Sequence, residues 1–410
     1  MQSCLGYFEN PVIVELVSDS LGDDDQSLRI FKTFLAGETP EDPDNVLPFA
    51  KRYPLIDLVE DLPHAALNGR LSVVEWLFPY LDIDEDEEVC MTMCREAAQG
   101  GHLDILKWLR ERECPWDTRV AHAAALNGHL DLLKWAYENG CRWDSNVCAN
   151  AAEAGHLECF KWALDKTETY NWFICRSAAE GGSLQCLQWA RENGCPWDNY
   201  TTICAAWHGH LECLKWAREN GCPWDKWTCS NAARNGHLDC LKWARYNGCP
   251  WDKLTCILAA QGGHQECLKW ARENGCPWDE RTCSFAAENG HLECLKWARE
   301  NGCHWDEYTC SSAATNGHLD CLKWARENGC PWDDRTCCNA AFDGHLECLK
   351  WARENGCPWD EYTCSFASEN GHLACLKWAR ENGCPWDEET CAYARQDCLQ
   401  WARENGCPEN

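Results

Sequence analysis

Arg281-Thr282-Cys283-Ser284-Phe285-Ala286-Ala287-Glu288-Asn289-Gly290-His291-Leu292-Glu293-Cys294-Leu295-Lys296-Trp297-Ala298-Arg299-Glu300-Asn301-Gly302 decides the architecture of this 410-residue chain. It reads as two amphipathic helices broken by one glycine. Asp279 and Glu280 precede it, an Asp start with acids in the first turn, which suits the free amides and dipole of a helix N-terminus. Cys283, Ala286 and Ala287 then fall at helical spacing, and Gly290 stops the first helix. From His291 to about Asn301, Leu292, Leu295 and Ala298 form an apolar face with Cys294 and Trp297 alongside. Glu293, Lys296 and Glu300 lie on the wet side. Asn301-Gly302 ends the second helix with a residue that tolerates the left-handed conformation. Prolines at the corresponding place after other units (Pro277, Pro331, Pro358, Pro385) block continuation. The unit is helix, tight turn, helix, short extended loop.

The unit recurs. Gly-His-Leu or a close variant begins at Gly101, Gly128, Gly155, Gly182, Gly209, Gly236, Gly263, Gly290, Gly317, Gly344 and Gly371, each 27 residues after the last. A degenerate copy begins at Gly69, with five extra residues before the next, and a shortened copy ends the chain. About thirteen units fill most of residues 57–410. Fixed-period self-similarity on this scale predicts an all-α solenoid, because one such helix pair cannot cover its own apolar face and must bury it on neighbours.

Composition narrows the functional classes. With 37 Lys+Arg against 66 Asp+Glu the formal net charge is −29, which opposes binding to nucleic acid or an anionic membrane. No run approaches the roughly 18 apolar residues of a spanning helix, and the start of the chain lacks a basic-then-apolar secretory signal. The expected compartment is cytoplasmic, with a nuclear one possible, and the thiols are then expected to be reduced. No phosphate loop, nucleophile elbow, metalloprotease motif or paired carboxylates occur outside the repeated frame. A non-enzymatic protein without cofactors, binding a protein partner as a monomer, is expected.

Residues 281–302 resemble the helical part of an ankyrin repeat. The resemblance lies in the threonine opening the first helix, the Ala286-Ala287 pair, Gly290-His291 at the turn, Glu and Lys with apolar residues on the second helix, and the final glycine. It implies a stack of helix pairs used for protein binding. Two features depart from the family: the period is 27 residues rather than about 33, and the deficit falls between Gly302 and Thr309, where the family builds its projecting hairpin. Thr282-Cys283-Ser284-Phe285 also replaces the family's Thr-Pro-Leu-His. The chain is similar in this to the short, hairpin-poor ankyrin-like repeats of protist and large DNA virus proteins, so hairpin-tip contacts do not carry over.

The 35 cysteines and 26 tryptophans divide into roughly three thiols and two indoles per unit. The repeats hold no Cys-x₂₋₄-Cys pair of the sort a zinc site uses; Cys90 and Cys94 are the one pair at that spacing. His291 and Cys294 lie one turn apart, leaving open a His-Cys metal ladder, and redox-active thiols form a further alternative. The plain reading is core filler, since the aligned family positions of Cys283 and Cys294 hold Leu and Val and cysteine packs as a small hydrophobe. Trp297 and Trp305 are expected to fill the packed face and the seam between units. The histidines of the Gly-His turns are expected to bond to local backbone at the start of the second helix.

Comparison of units with one another locates the variable positions. The framework barely changes, whereas the registers of residues 281, 284, 285 and 288 do, and these lie at i, i+3, i+4 and i+7 on a stripe opposite Cys283, Ala286 and Ala287. Aromatic and arginine residues there are the usual interface anchors. The candidate protein-binding residues are Trp227, Leu254, Leu258, Arg281, Phe285, Tyr308, Arg335, Phe342, Tyr362 and Phe366; drift at exposed positions would also give variability.

Irregular segments remain. Thr167-Glu168-Thr169-Tyr170 replaces the usual Gly-Cys-Pro-Trp and predicts a bend. Between Cys391 and Cys398 four residues are missing against the usual spacing, which predicts loss of the last inter-helix turn. Residues 1–56, outside the repeat, read as a helical cap with an acidic linker from Gly37 to Asp44. An F-box-like adaptor, which would make the chain the substrate receptor of a ubiquitin ligase, is the alternative.

Overall fold

The computed structural model describes residues 58–81, 86–167 and 172–408. The expected N-terminal cap and adaptor, and Glu168 to Tyr170, lie outside these residues. Among the described residues there are 26 α-helices, one short 3-10 turn at Phe78–Tyr80, and no strand. The helices form thirteen pairs in two compact units, one ending at Trp197 with five pairs and one beginning at Asp198 with eight.

In the second unit, the pair Arg281–Glu288 and Leu292–Glu300 shows how the residues specify the form. Asp279 accepts a hydrogen bond from the amide of Arg281 at 3.2 Å, opening the first helix. At its end Gly290 takes φ 74°, and the amide of His291 reaches back to the carbonyl of Ala286 at 2.8 Å, the six-to-one bond of a Schellman ending. Gly302, at φ 85°, ends the second helix likewise, with Cys303 donating to the carbonyl of Ala298 at 2.9 Å.

The first helices are thin where they meet. Thr282, Cys283, Ala286 and Ala287 are all fully buried, and small side chains let neighbouring first helices lie closely side by side, whereas second helices touch one another sparingly. That wider seam is filled by indoles. Trp305, just past Gly302, meets Trp324 of the following pair edge to face with centroids 5.8 Å apart, and the Arg299 guanidinium lies 4.3 Å from the centre of the Trp305 ring. Equivalent indole pairs recur through the unit, from Trp224 with Trp243 to Trp386 with Trp401.

The turn histidines behave differently from the sequence expectation. No histidine at the start of a second helix in this unit caps it through its side chain. Instead the rings of His237, His264, His291, His318, His345 and His372 lie on the turn glycine of the preceding pair, so close that a Cβ on Gly290 would stand 2.6 Å from Nδ1 of His318. In the first unit the ring nitrogens Nε2 of His102 and His129 meet the carbonyls of Leu67 and Gln99 of the preceding pair, at 3.1 and 3.0 Å. A flat ring with a polar edge can bond across the stack while covering a glycine, and no local amide offers both.

The shortened last pair also differs. The missing residues come out of the first helix, which runs only Glu388–Ala392, and the connection to Gln396–Glu404 survives. Arg395 stands where a turn histidine belongs, its Nε donating to the carbonyl of Glu369 at 3.3 Å. In the first unit Thr167 takes the place of a stop glycine, and its hydroxyl closes the helix by donating to the carbonyl of Ala163 at 2.9 Å.

Candidate protein-binding face

On the first helices of the second unit, the registers of residues 281, 285 and 288 hold the exposed and half-buried side chains, although Cys204 and Asn231 in the register of residue 285 are buried. Trp227, Arg281, Tyr308, Arg335, Phe342 and Tyr362 are exposed, with Tyr308 half accessible at 50%. Leu254, Leu258, Phe285 and Phe366 are half-buried, so Leu254 and Leu258 contribute only their edges.

The register of residue 284 does not belong to the face. Ser230, Ser284, Ser311 and Ser365 are buried between neighbouring first helices, where Ser230 and Ser365 meet the threonines Thr255 and Thr390 of the next pair at 3.2 Å. Small polar residues bonding sideways look like surface residues in a sequence. Tyr200 and Tyr393, exposed at 50% and 67%, occupy the registers of residues 281 and 285 and extend the column at either end; counting forward in steps of 27 would have found both.

The side chains of the column touch. Phe366 lies edge to face with Phe342, at 5.6 Å, and beside Tyr362 at 5.8 Å. The Arg335 guanidinium stands 4.9 Å from the ring centre of Tyr308 and pairs with Asp333 at 3.0 Å. Arg234 approaches the Trp207 ring to 5.4 Å.

Charge changes sign along the neighbouring register, one residue before the column. It reads Asn199, Lys226, Lys253, Glu280, Glu307, Asp334, Glu361, Glu388. Lys226 and Lys253 each reach the helix-opening Asp of the next pair, Asp252 and Asp279, at 2.8 Å. Burial pushes the Asp279 carboxyl up, but hydrogen bonds from Arg281 and Lys253 outweigh it and hold the group below its ordinary value. At Asp306 the lysine is gone: burial, then the carboxylates of Glu307 and Glu280, push its carboxyl up.

The thiols lie elsewhere, inside. All 34 described cysteines are buried. In the second unit those following the second helices tie each pair shut, as Cys303 does by donating to the carbonyl of Asp279 at 3.3 Å. Among the described residues no group of three or more His, Cys, Asp and Glu side chains is close enough to share a metal ion, and no helix is long and apolar enough to cross a membrane.

A family model described as ankyrin repeats in many copies matches residues 202–245, 256–299 and 283–326. No curated protein matches the sequence. Among solved structures, the human ASB11 ankyrin repeat domain is similar over 44% of this chain and 99% of its own, at 17% identity and a TM-score of 0.38. The family matches fall on helix pairs of a kind that recurs thirteen times among the described residues, so the chain carries ankyrin repeats at these positions.

Proposed function

We propose that the chain is a non-enzymatic scaffold that works as a single copy and binds a protein partner through the first-helix column of its second unit. Ankyrin repeats generally mediate protein–protein interaction, and the observation that carries the reading here is the row of large aromatics left in water. Trp227, Tyr308, Phe342 and Tyr362 are 42 to 50% exposed although the same helices bury Ala and Cys completely. Exposed aromatic residues spaced along one face are the usual anchors of an interface. A thiol array for metal or oxidant has burial against it, since a buried thiol resists ionisation and access. The ubiquitin-ligase receptor reading rests on residues 1–56, outside the described structure.

The test is affinity capture from the native cell, comparing the full chain with a variant carrying Trp227→Ala, Tyr308→Ala, Phe342→Ala and Tyr362→Ala. The four side chains are exposed, so the variant keeps its helical circular dichroism. Specific partners should be lost from the variant. Capture unchanged by all four substitutions sinks the column as a binding face.

A further inference from the structure

The column is flanked by more negative charge than its helices use. A single acid in a helix's first turn is accounted for by the dipole and free amides. From Glu280 onward, however, each first helix of the unit opens on adjacent acids: Asp279-Glu280, Asp306-Glu307, Asp333-Asp334, Asp360-Glu361 and Asp387-Glu388-Glu389. The cations at hand are already engaged, Lys253 and Arg281 by Asp279 and Arg335 by Asp333. Among the described residues Glu280, Glu307, Asp334, Glu361, Glu388 and Glu389 close no ion pair. The two lysines that neutralise this row in earlier pairs, Lys226 and Lys253, have no counterpart beyond Asp279. Beside the row stand the exposed or half-exposed rings of Tyr308, Phe342, Tyr362, Phe366 and Tyr393.

We propose that this acidic row and the aromatic column beside it, over residues 280–393, form the seat of a basic, extended segment of the protein partner. The proposal rests on the column being the binding face and names the chemistry of what it binds. Carboxylates alone would attract any cation, and rings alone any apolar surface. Together they fit arginine and lysine, whose stems lie on aromatic rings while their charged heads reach carboxylates, with cation–π attraction added at the ring faces. Geometry sets the periodicity. Closely packed helices lie about 8–10 Å apart and an extended chain advances about 3.3 Å per residue, so one repeat spans about three residues of ligand. A basic residue at every third position would meet successive carboxylates.

The probe is a fluorescent synthetic peptide of repeated Arg-Ser-Gly, titrated against the full chain at low salt, with a Glu-Ser-Gly peptide as control. Saturable binding of the arginine peptide and none of the glutamate peptide is expected. The double reversal Glu361→Lys with Glu388→Lys should weaken binding at least about tenfold, on the scale of paired charges across an interface. Tyr362→Ala should weaken it several-fold, while Glu300→Lys with Glu327→Lys, on exposed second-helix acids of the same unit, should leave it within about twofold. Equal loss on reversing the second-helix acids would mean unspecific attraction to an acidic protein and overturn the proposal, as would no binding or binding indifferent to Glu361, Glu388 and Tyr362. If capture from cells depends on the column while the arginine peptide does not bind, the basic segment is wrong and the column stands. If capture is indifferent to the column, the underlying reading has failed instead.

Discussion

At the scale of single residues, glycine decides how well each unit closes, and one position has the wrong residue. Glu113 occupies the stop register that Gly140, Gly275 and Gly302 hold, and carries a positive φ of 62°. A side chain there costs about 1–2 kcal/mol against glycine, of which glycine's greater freedom in the unfolded chain returns about 0.5–1 kcal/mol. Glu113→Gly should therefore stabilise the first unit by roughly 0.5–1 kcal/mol, read as a higher urea midpoint; a lower midpoint would show that Glu113 makes a compensating contact. The two glycines of one repeat are also unequal. A Cβ on Gly302 meets nothing within 4 Å, whereas one on Gly290 runs into the His318 ring. Gly302→Ala should cost about 1 kcal/mol from backbone strain, and Gly290→Ala clearly more, since the ring must also move. Both stops were legible in the sequence because Asn-Gly after an amphipathic run has one structural meaning. The role of His291 was not, because its partner is a glycine 28 residues earlier, and spacing within a unit gives no sign of it.

At the scale of the helix pair, the loop after the second helix is held by a device that sequence patterns hide. Arg299 stacks on Trp305 at 4.3 Å, and its Nη1 donates to the carbonyl of Cys303 at 3.2 Å. Lysine or methionine at this place would read equally well as the flank of an amphipathic helix; only the guanidinium can stack on the indole and bond the loop together. Arg299→Met keeps the stem and loses both, which should cost about 1–2 kcal/mol, combining a half-exposed cation–π contact with a charge-assisted hydrogen bond. Hydrogen exchange should speed up first at Cys303 and Trp305. Unchanged protection there would mean that the indole pair with Trp324 holds the loop unaided. The helices themselves were readable from periodicity, since apolar spacing and Gly stops agree in every full pair of the second unit. The first-helix face was only partly readable: periodicity assigned Ser284 to the surface along with Arg281, and only the neighbouring helix, which supplies Thr309, turns that register inward.

At the scale of the whole molecule, repetition multiplies small effects of protonation, and the two ends of the pH range act through different residues. Burial, and then the nearby His237 and His291, hold His264 below its ordinary value; burial and His291 do the same for His318. As pH falls through about 6.5, where a free histidine titrates, the unfolded chain takes protons that these folded rings resist. Stability therefore declines on the acid side. The alkaline side should be steeper. Burial pushes the second-helix thiols up, Cys240, Cys294, Cys348 and Cys375 to about 11 and Cys267 and Cys321 to about 12. A raised pKa means that the folded chain keeps protons which the unfolded chain gives up, so stability is whole below the ordinary thiol value and drains away above it. Each unit of pH past that value costs up to about 1.4 kcal/mol per thiol. Six thiols in one unit sum to a loss on the order of 10 kcal/mol near pH 10 if the pairs unfold together. The urea midpoint of the second unit should be flat from about pH 7 to 8.5 and fall sharply beyond, before lysine begins to titrate at about 10.4. Replacing Cys267 and Cys321 by Val should blunt the fall. A midpoint that holds level to pH 10 would mean that these thiols ionise as freely in the folded chain as in the unfolded one, and the cysteines would then not be the sealed core of the stack.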